Sequence, residues 1–322
     1  MEDVRLGTTD LRVSSIGLGT WSYGGEWGAL DVESAASTVH CALDLGVNFF
    51  DTAQAYGFGR AESVLADALW ARVRREDVIV ATKGGLRMDG PTLLRDAGAA
   101  WLRQGVEESL RNLRTDYIDL YQVHWPDLLT PAEETAGVLS DLVAEGKVRH
   151  VGVSNYDAAQ MAGLGRFIEV ETLQPPYHLF RRDIEGDILP YCAAHDIGVL
   201  VYGPLAHGLL SGTMTRQTSF AADDWRYQSS DFTGDRFAAN LAVVDALLVY
   251  AAERDMSLPQ LAVAWTLARP AVDVSLVGAR RPDHLGELVS AADIKLSERD
   301  LGDLDCIMAA AVPVHGPAPE GA

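Results

Sequence analysis

The sequence predicts a closed barrel of eight parallel strands alternating with helices, the (β/α)8 or TIM-barrel class of α/β fold, and three observations point to it. Short apolar runs alternate with amphipathic stretches along almost the whole chain. Eight such runs occur over about 280 residues, near the about 250 residues plus insertions that the barrel needs. The runs are mostly apolar without alternation, as expected of parallel strands covered on both faces. An open doubly wound sheet is the alternative. Its nucleotide-binding signature fails, because "GLGTWS" at 17–22 and "GFGRAE" at 57–62 both lack the third glycine of G-x-G-x-x-G.

In chain order, "VRLGTTDLRVS" at 4–14 has two short runs around a Gly-Thr-Thr-Asp turn and reads as an N-terminal β-hairpin closing the barrel bottom. Candidate strands follow at 15–18, 48–51, 78–83, 118–123, 150–154, 172–174, 198–202 and 272–277. Helical patterns lie between them at 32–45, 61–71, 92–113, 131–145, 157–166 and 188–195, with a pair in 240–268, one at 282–291 and an extra C-terminal helix. Several begin on a cap or an early proline, as in "TPAEE" at 130–134 and "RPDHL" at 281–285. The stretch between Ser211 and Asp235 has weak periodicity and reads as a long loop. One domain over 1–322 is expected, with a flexible Pro/Gly-rich tail over 312–322.

Composition narrows the function. A net charge of −20, from 26 basic against 46 acidic residues, repels nucleic acid and anionic membrane. No apolar run approaches the roughly 20 residues of a membrane span. Cys41, Cys192 and Cys306 are an odd number without CxxC spacing and read as reduced thiols. The start "MEDVRLGTTD" lacks the basic-then-apolar pattern of an export signal. A cytoplasmic protein, monomeric or a small homo-oligomer, is expected. No paired His spacing suggests a metal, and "GVSNY" at 152–156 departs from the hydrolase elbow G-x-S-x-G at Tyr156.

In a barrel of this class the C-terminal strand ends converge on one face. Here they carry Asp51, Lys83, His124, Ser154 with Asn155, Gln174 and Tyr202, and Tyr56 follows the second strand. Singly, each has an ordinary structural reading. Jointly, three apolar strands ending in Asp, Lys and His are hard to dismiss. A tyrosine, with pKa about 10, is a weak acid at neutral pH. A neighbouring ammonium favours its phenolate, a carboxylate keeps that ammonium charged, and a histidine can hold a carbonyl oxygen beside the phenol. Tyr56 then becomes a proton donor to a carbonyl under reduction. The set has no hydride source, so a cofactor must supply one.

The chain resembles the aldo-keto reductases, in their bacterial and potassium-channel β-subunit-like branch. The resemblance rests on "GLGTW" at 17–21, "FFDTAQAYG" at 49–57, "ATKGG" at 81–85, "DLYQVHWPD" at 119–127, "VGVSNY" at 151–156, "LQPPYHLFRRDIE" at 173–185, "YGPLAHGLLSG" at 202–212 and "GARRPDHLGE" at 278–287. It implies a catalytic tetrad of Asp51, Tyr56, Lys83 and His124, with Trp21 and Trp125 joining Tyr56 and His124 around a small carbonyl or alcohol substrate. It implies NADP(H) held by Gly19, Thr20, Trp21 and Asp51 near the ribose, by Ser154, Asn155 and Gln174 at the carboxamide, and by Tyr202 stacked on the nicotinamide. Gly203, Pro204, Leu205, Gly208 and Leu210 would line the pyrophosphate. Gly278, Ala279, Arg280, His284 and Glu287 would clamp the adenosine half, with Arg280 suited to the 2′-phosphate. Leu288 and His284 stand where family members often carry Asn and Arg or Gln. The expected activity is NADPH-dependent reduction of an aldehyde or ketone. An NAD-linked sugar or polyol dehydrogenase and a cofactor-binding regulatory subunit are the alternatives.

Overall fold

Val, Ile, Leu, Phe and Tyr dominate the short apolar runs, and these residues suit a pleated surface packed on both sides. The structure, a computed structural model, describes residues 1, 3–25, 27–222 and 224–318. Strands β1 (Asp3–Arg5) and β2 (Arg12–Ser14) pair antiparallel as the expected hairpin. Next come β3 (Ile16–Gly19), α1 (Val32–Asp44), β4 (Phe49–Asp51), α2 (Arg60–Trp70) and β5 (Ile79–Gly84). The middle of the chain forms β6 (Leu86–Asp89), β7 (Thr92–Arg95), α3 (Ala99–Leu113), β8 (Ile118–Val123), α4 (Ala132–Ala144), β9 (Val148–Ser154) and α5 (Ala158–Leu164). Then follow β10 (Thr172–Gln174), α6 (Ile188–Ala194), β11 (Gly198–Tyr202), α7 (Gly234–Ala252), α8 (Leu258–Leu267), β12 (Val274–Gly278), α9 (Leu285–Ser290) and α10 (Glu298–Met308). Eight parallel strands close a barrel in the order β3-β4-β5-β8-β9-β10-β11-β12, with β12 returning to β3 through Ser275 opposite Ile16.

The core has two layers. Inside the barrel, Phe49, Ala81, Leu120, Leu200, Val274 and Leu276 meet Leu6, Leu11 and Val13 of the hairpin, which plugs the bottom. Gly7 adopts φ 52° there, and a Cβ on it would lie 2.2 Å from the Gly198 amide, so only glycine lets the turn sit against β11. Outside, a larger layer lies between the sheet and the helices, with Trp265 and Tyr121 fully buried in it.

Two expectations change. The helix read over 92–113 begins at Ala99, because Thr92–Arg95 pairs antiparallel with Leu86–Asp89. The turn between them contains Asp89-Gly90-Pro91, with Gly90 at φ 60°, and an Asp-Gly turn favours a hairpin over a helix start. The tail starts firmly held: the Val312 amide donates to Asn240 Oδ1 at 2.8 Å, the Val314 amide to the Phe180 carbonyl at 3.0 Å, and Val314 is buried. Residues 319–322 of the expected flexible tail lie outside the described residues.

Candidate active site

Asp51 closes β4, where the strand's apolar run ends, and is buried at the barrel mouth. Its backbone carbonyl accepts from the Thr20 amide at 2.9 Å and from the Thr20 hydroxyl at 3.1 Å, which joins the ends of β3 and β4. Its carboxylate accepts from Lys83 Nζ at 2.5 Å, from Gln174 Nε2 at 2.8 Å and from Gln122 Nε2 at 3.5 Å. A buried carboxylate needs such partners, and here they come from three strands.

Lys83 is also buried, and its ammonium donates to the Thr52 carbonyl at 2.9 Å and to Tyr56 Oη at 3.4 Å. The turn that carries Tyr56 is fixed at both ends. The Gln54 amide donates to the Lys83 carbonyl at 2.9 Å, and the Gly59 amide donates to the Gln54 carbonyl at 2.9 Å. Gly57 and Gly59 take φ 60° and 96°, and a Cβ on Gly59 would meet the Asn112 amide at 2.3 Å. The His124 ring stands edge-on to Tyr56, with centroids 5.7 Å apart. Burial, helped by the Lys83 charge, pushes the His124 pKa well below the ordinary histidine value, so the imidazole is neutral near pH 7. The four residues therefore form one contact group of carboxylate, ammonium, phenol and neutral imidazole.

A second group lies across the mouth. The Ser154 hydroxyl donates to the Gln174 carbonyl at 2.7 Å, and Asn155 Nδ2 donates to Ser154 Oγ and to the His124 carbonyl, both at 3.0 Å. Asn155 adopts φ 63°, a left-handed conformation that asparagine tolerates better than most residues. Tyr202 Oη donates to Asn155 Oδ1 at 2.9 Å, which fixes the half-buried Tyr202 ring, and burial raises the pKa of that phenol.

These residues fit a flat amide-bearing ring: an aromatic face, two primary amides and a hydroxyl converge there. The neighbouring loops fit a long phosphate-bearing ligand. Gly203 follows the end of β11 and Gly278 ends the adjacent β12, and a Cβ on either would meet nothing within 4 Å, which leaves backbone open to approach. Pro204, Leu205 and Gly208 follow in the same loop as Gly203, whereas the Leu210 side chain is buried in the core. In the last cluster Ala279 is buried, Glu287 half-buried and His284 exposed, while Leu288 belongs to the core. Arg280 is exposed.

Sequence reasoning placed Trp21 beside the substrate but missed the residues that complete the wall above Tyr56. Trp21 stacks on Tyr56 at 6.4 Å and meets Trp27 edge-on at 5.0 Å, and His207 and Trp225 complete the surround at 6.4 and 5.0 Å contacts. His207 itself takes φ 56°, inside a loop whose Gly208 has φ 95°. Its burial and the nearby Arg181 push its pKa down to about 3. The only signal was the glycine-flanked "AHG" in a loop after a strand. Trp125 is half-buried beside His124, with the Arg95 guanidinium 5.1 Å from its ring. Among the described residues no His, Cys, Asp and Glu group could hold a metal ion.

Fold and site together define a barrel oxidoreductase. The chain belongs to the aldo/keto reductase family, whose profile matches residues 15–309. Members of this family use nicotinamide cofactors. The chain is 42% identical over 310 residues to the aldo-keto reductase YhdN of Bacillus subtilis, covering 96% of this chain and 94% of that one. It is 34% identical to the NADH-specific methylglyoxal reductase of Escherichia coli, covering 93% and 96%. Among solved structures, a glycerol dehydrogenase from Gluconobacter oxydans superposes with TM-score 0.89 at 38% identity, covering 100% and 98%. No helix among the described residues is long and apolar enough to cross a membrane.

Proposed function

We propose that this chain reduces an aldehyde or ketone to an alcohol with NADPH, and that Tyr56 donates the proton. The observation that carries this is the Lys83 ammonium, 2.5 Å from Asp51 Oδ1 and 3.4 Å from Tyr56 Oη. Asp51 holds the lysine charged and aimed, and the ammonium stabilises the phenolate left when the proton departs. Neutral His124 offers a hydrogen bond to the substrate oxygen without adding a second cation. Trp21, Trp125 and His124 bound the space in front of the phenol. When bound, the nicotinamide supplies the hydride. Ser154, Asn155, Gln174 and Tyr202 orient its ring, and Arg280 meets the 2′-phosphate.

A generic aldehyde such as 4-nitrobenzaldehyde, mixed with purified protein and NADPH, should give an absorbance decay at the reduced-nicotinamide band. Tyr56→Phe should slow it by about 10²–10⁴-fold while leaving NADPH affinity unchanged. A variant within a few-fold of the parent would assign the proton to another group. Likeness to a glycerol dehydrogenase supports a second reading, in which the same site oxidises a polyol. Turnover with glycerol and oxidised cofactor exceeding aldehyde reduction at matched pH would favour it.

A further inference from the structure

The segment after β3 runs through Trp27 and Ala29 with glycines at 25 and 28 in φ 116° and 83°, a composition that leaves it loose unless something ties it. The tie comes from the far end of the chain. Arg280 Nη1 donates to the Trp27 carbonyl at 2.8 Å, and Nη2 donates to the Ala29 carbonyl. The Arg280 carbonyl in turn accepts from Ser34 Oγ at 3.0 Å, at the first turn of α1. The Trp27 indole nitrogen is buried without a partner, so ring contacts and this backbone tie hold the tryptophan. Those ring contacts are with Trp21 at 5.0 Å and Trp225 at 6.2 Å, and Trp21 stacks on Tyr56.

We infer that Arg280 is a positioning strut, tying the wall formed by Trp27 and Trp21 over Tyr56 to the adenosine clamp, so that the clamp's occupancy shapes the carbonyl pocket. A guanidinium has five N–H donors in a rigid plane, and two of them serve the carbonyls. Three remain for a phosphate, so one side chain can read the 2′-phosphate and hold the wall together. A lysine, a single rotatable ammonium, could not do both in a fixed geometry. The inference rests on reading Gly278–Glu287 as the adenosine clamp.

NADH separates the two roles, because it lacks the 2′-phosphate. In the free protein, Arg280→Ala should speed amide hydrogen exchange over 27–30, and Arg280→Lys should restore it only in part. With NADH as cofactor, Arg280→Ala should raise the aldehyde KM roughly tenfold, as expected for loss of a charge-assisted hydrogen bond, with the NADH dissociation constant unchanged. If exchange and aldehyde KM stay at parent values while only NADPH binding weakens, Arg280 meets phosphate alone and the strut is wrong. Parent protein that binds neither dinucleotide overturns the clamp reading, and the coupling with it, whatever the exchange shows.

Discussion

Lys83 is held on three sides, with its ammonium shared among a carboxylate, a carbonyl and a phenol in the buried mouth of the barrel. Its removal should therefore cost more than activity. Lys83→Met leaves Asp51 buried without its counter-charge, and breaking such a pair typically costs about 3–5 kcal/mol. A melting-temperature drop together with lost turnover is expected, and a variant of parent stability would argue against that burial. His124 makes a different claim. Burial and the Lys83 charge keep its imidazole neutral, so kcat/KM should show no limb near the ordinary histidine value of about 6.5. A pH–rate profile with an inflection there would place the ring in solvent. Asp51, Lys83 and His124 were legible in the sequence because each ends an apolar run. Gln122 was not: it lies inside "DLYQVHWPD", and only the pleat shows that its amide turns inward to Asp51.

At the scale of the element, what matters is the turn between β4 and α2. Two backbone hydrogen bonds and two left-handed glycines bring Tyr56 back over Lys83, and Asn112 of α3 leaves no room for a side chain at Gly59. Gly59→Ala should strain the backbone and push the Asn112 side-chain amide off its hydrogen bond to Glu62. The expected loss is about 1–3 kcal/mol by denaturant unfolding, with a larger fall in kcat than in cofactor affinity. Unchanged kcat in a destabilised variant would mean that the turn does not aim the phenol. Strands and helices were readable because their periods differ, and boundaries mostly fall within a few residues of expectation. The hairpin of β6 and β7 escaped because Thr92–Arg95 runs into an amphipathic helix without a strong break in hydropathy. The partners of Trp21 in the aromatic wall escaped for another reason. Trp21 and Trp27 share the loop between β3 and α1 and meet Trp225 from the loop between β11 and α7, and loop placement has no period to read.

Across the whole molecule, charge is not evenly tolerated. Asp273 precedes β12, accepts from the Val199 amide at 2.8 Å, and burial with neighbouring Asp196 raises its pKa to about 6. A carboxyl raised in the folded state binds its proton more tightly there than in the unfolded chain. Its contribution therefore favours folding below about pH 4 and is lost as pH rises through about 6. Asp273→Asn keeps the acceptor and removes the charge. The variant should be more stable at pH 8, by about 3 kcal/mol, and should converge with the parent near pH 4 in thermal melts. Equal melts at both pH values would mean solvent reaches the carboxyl. The pairing of β12 with β3 bears on time as well as on stability. Ser275 lies opposite Ile16, and the hairpin plug shares the inner core layer with Leu276. Such distant contacts make closure slow. On a ribosome, β3 must wait without its final neighbour until the last strand, β12, has emerged. The ring then shuts once, from both ends of the chain, and nascent chains halted before residue 278 should remain sensitive to protease.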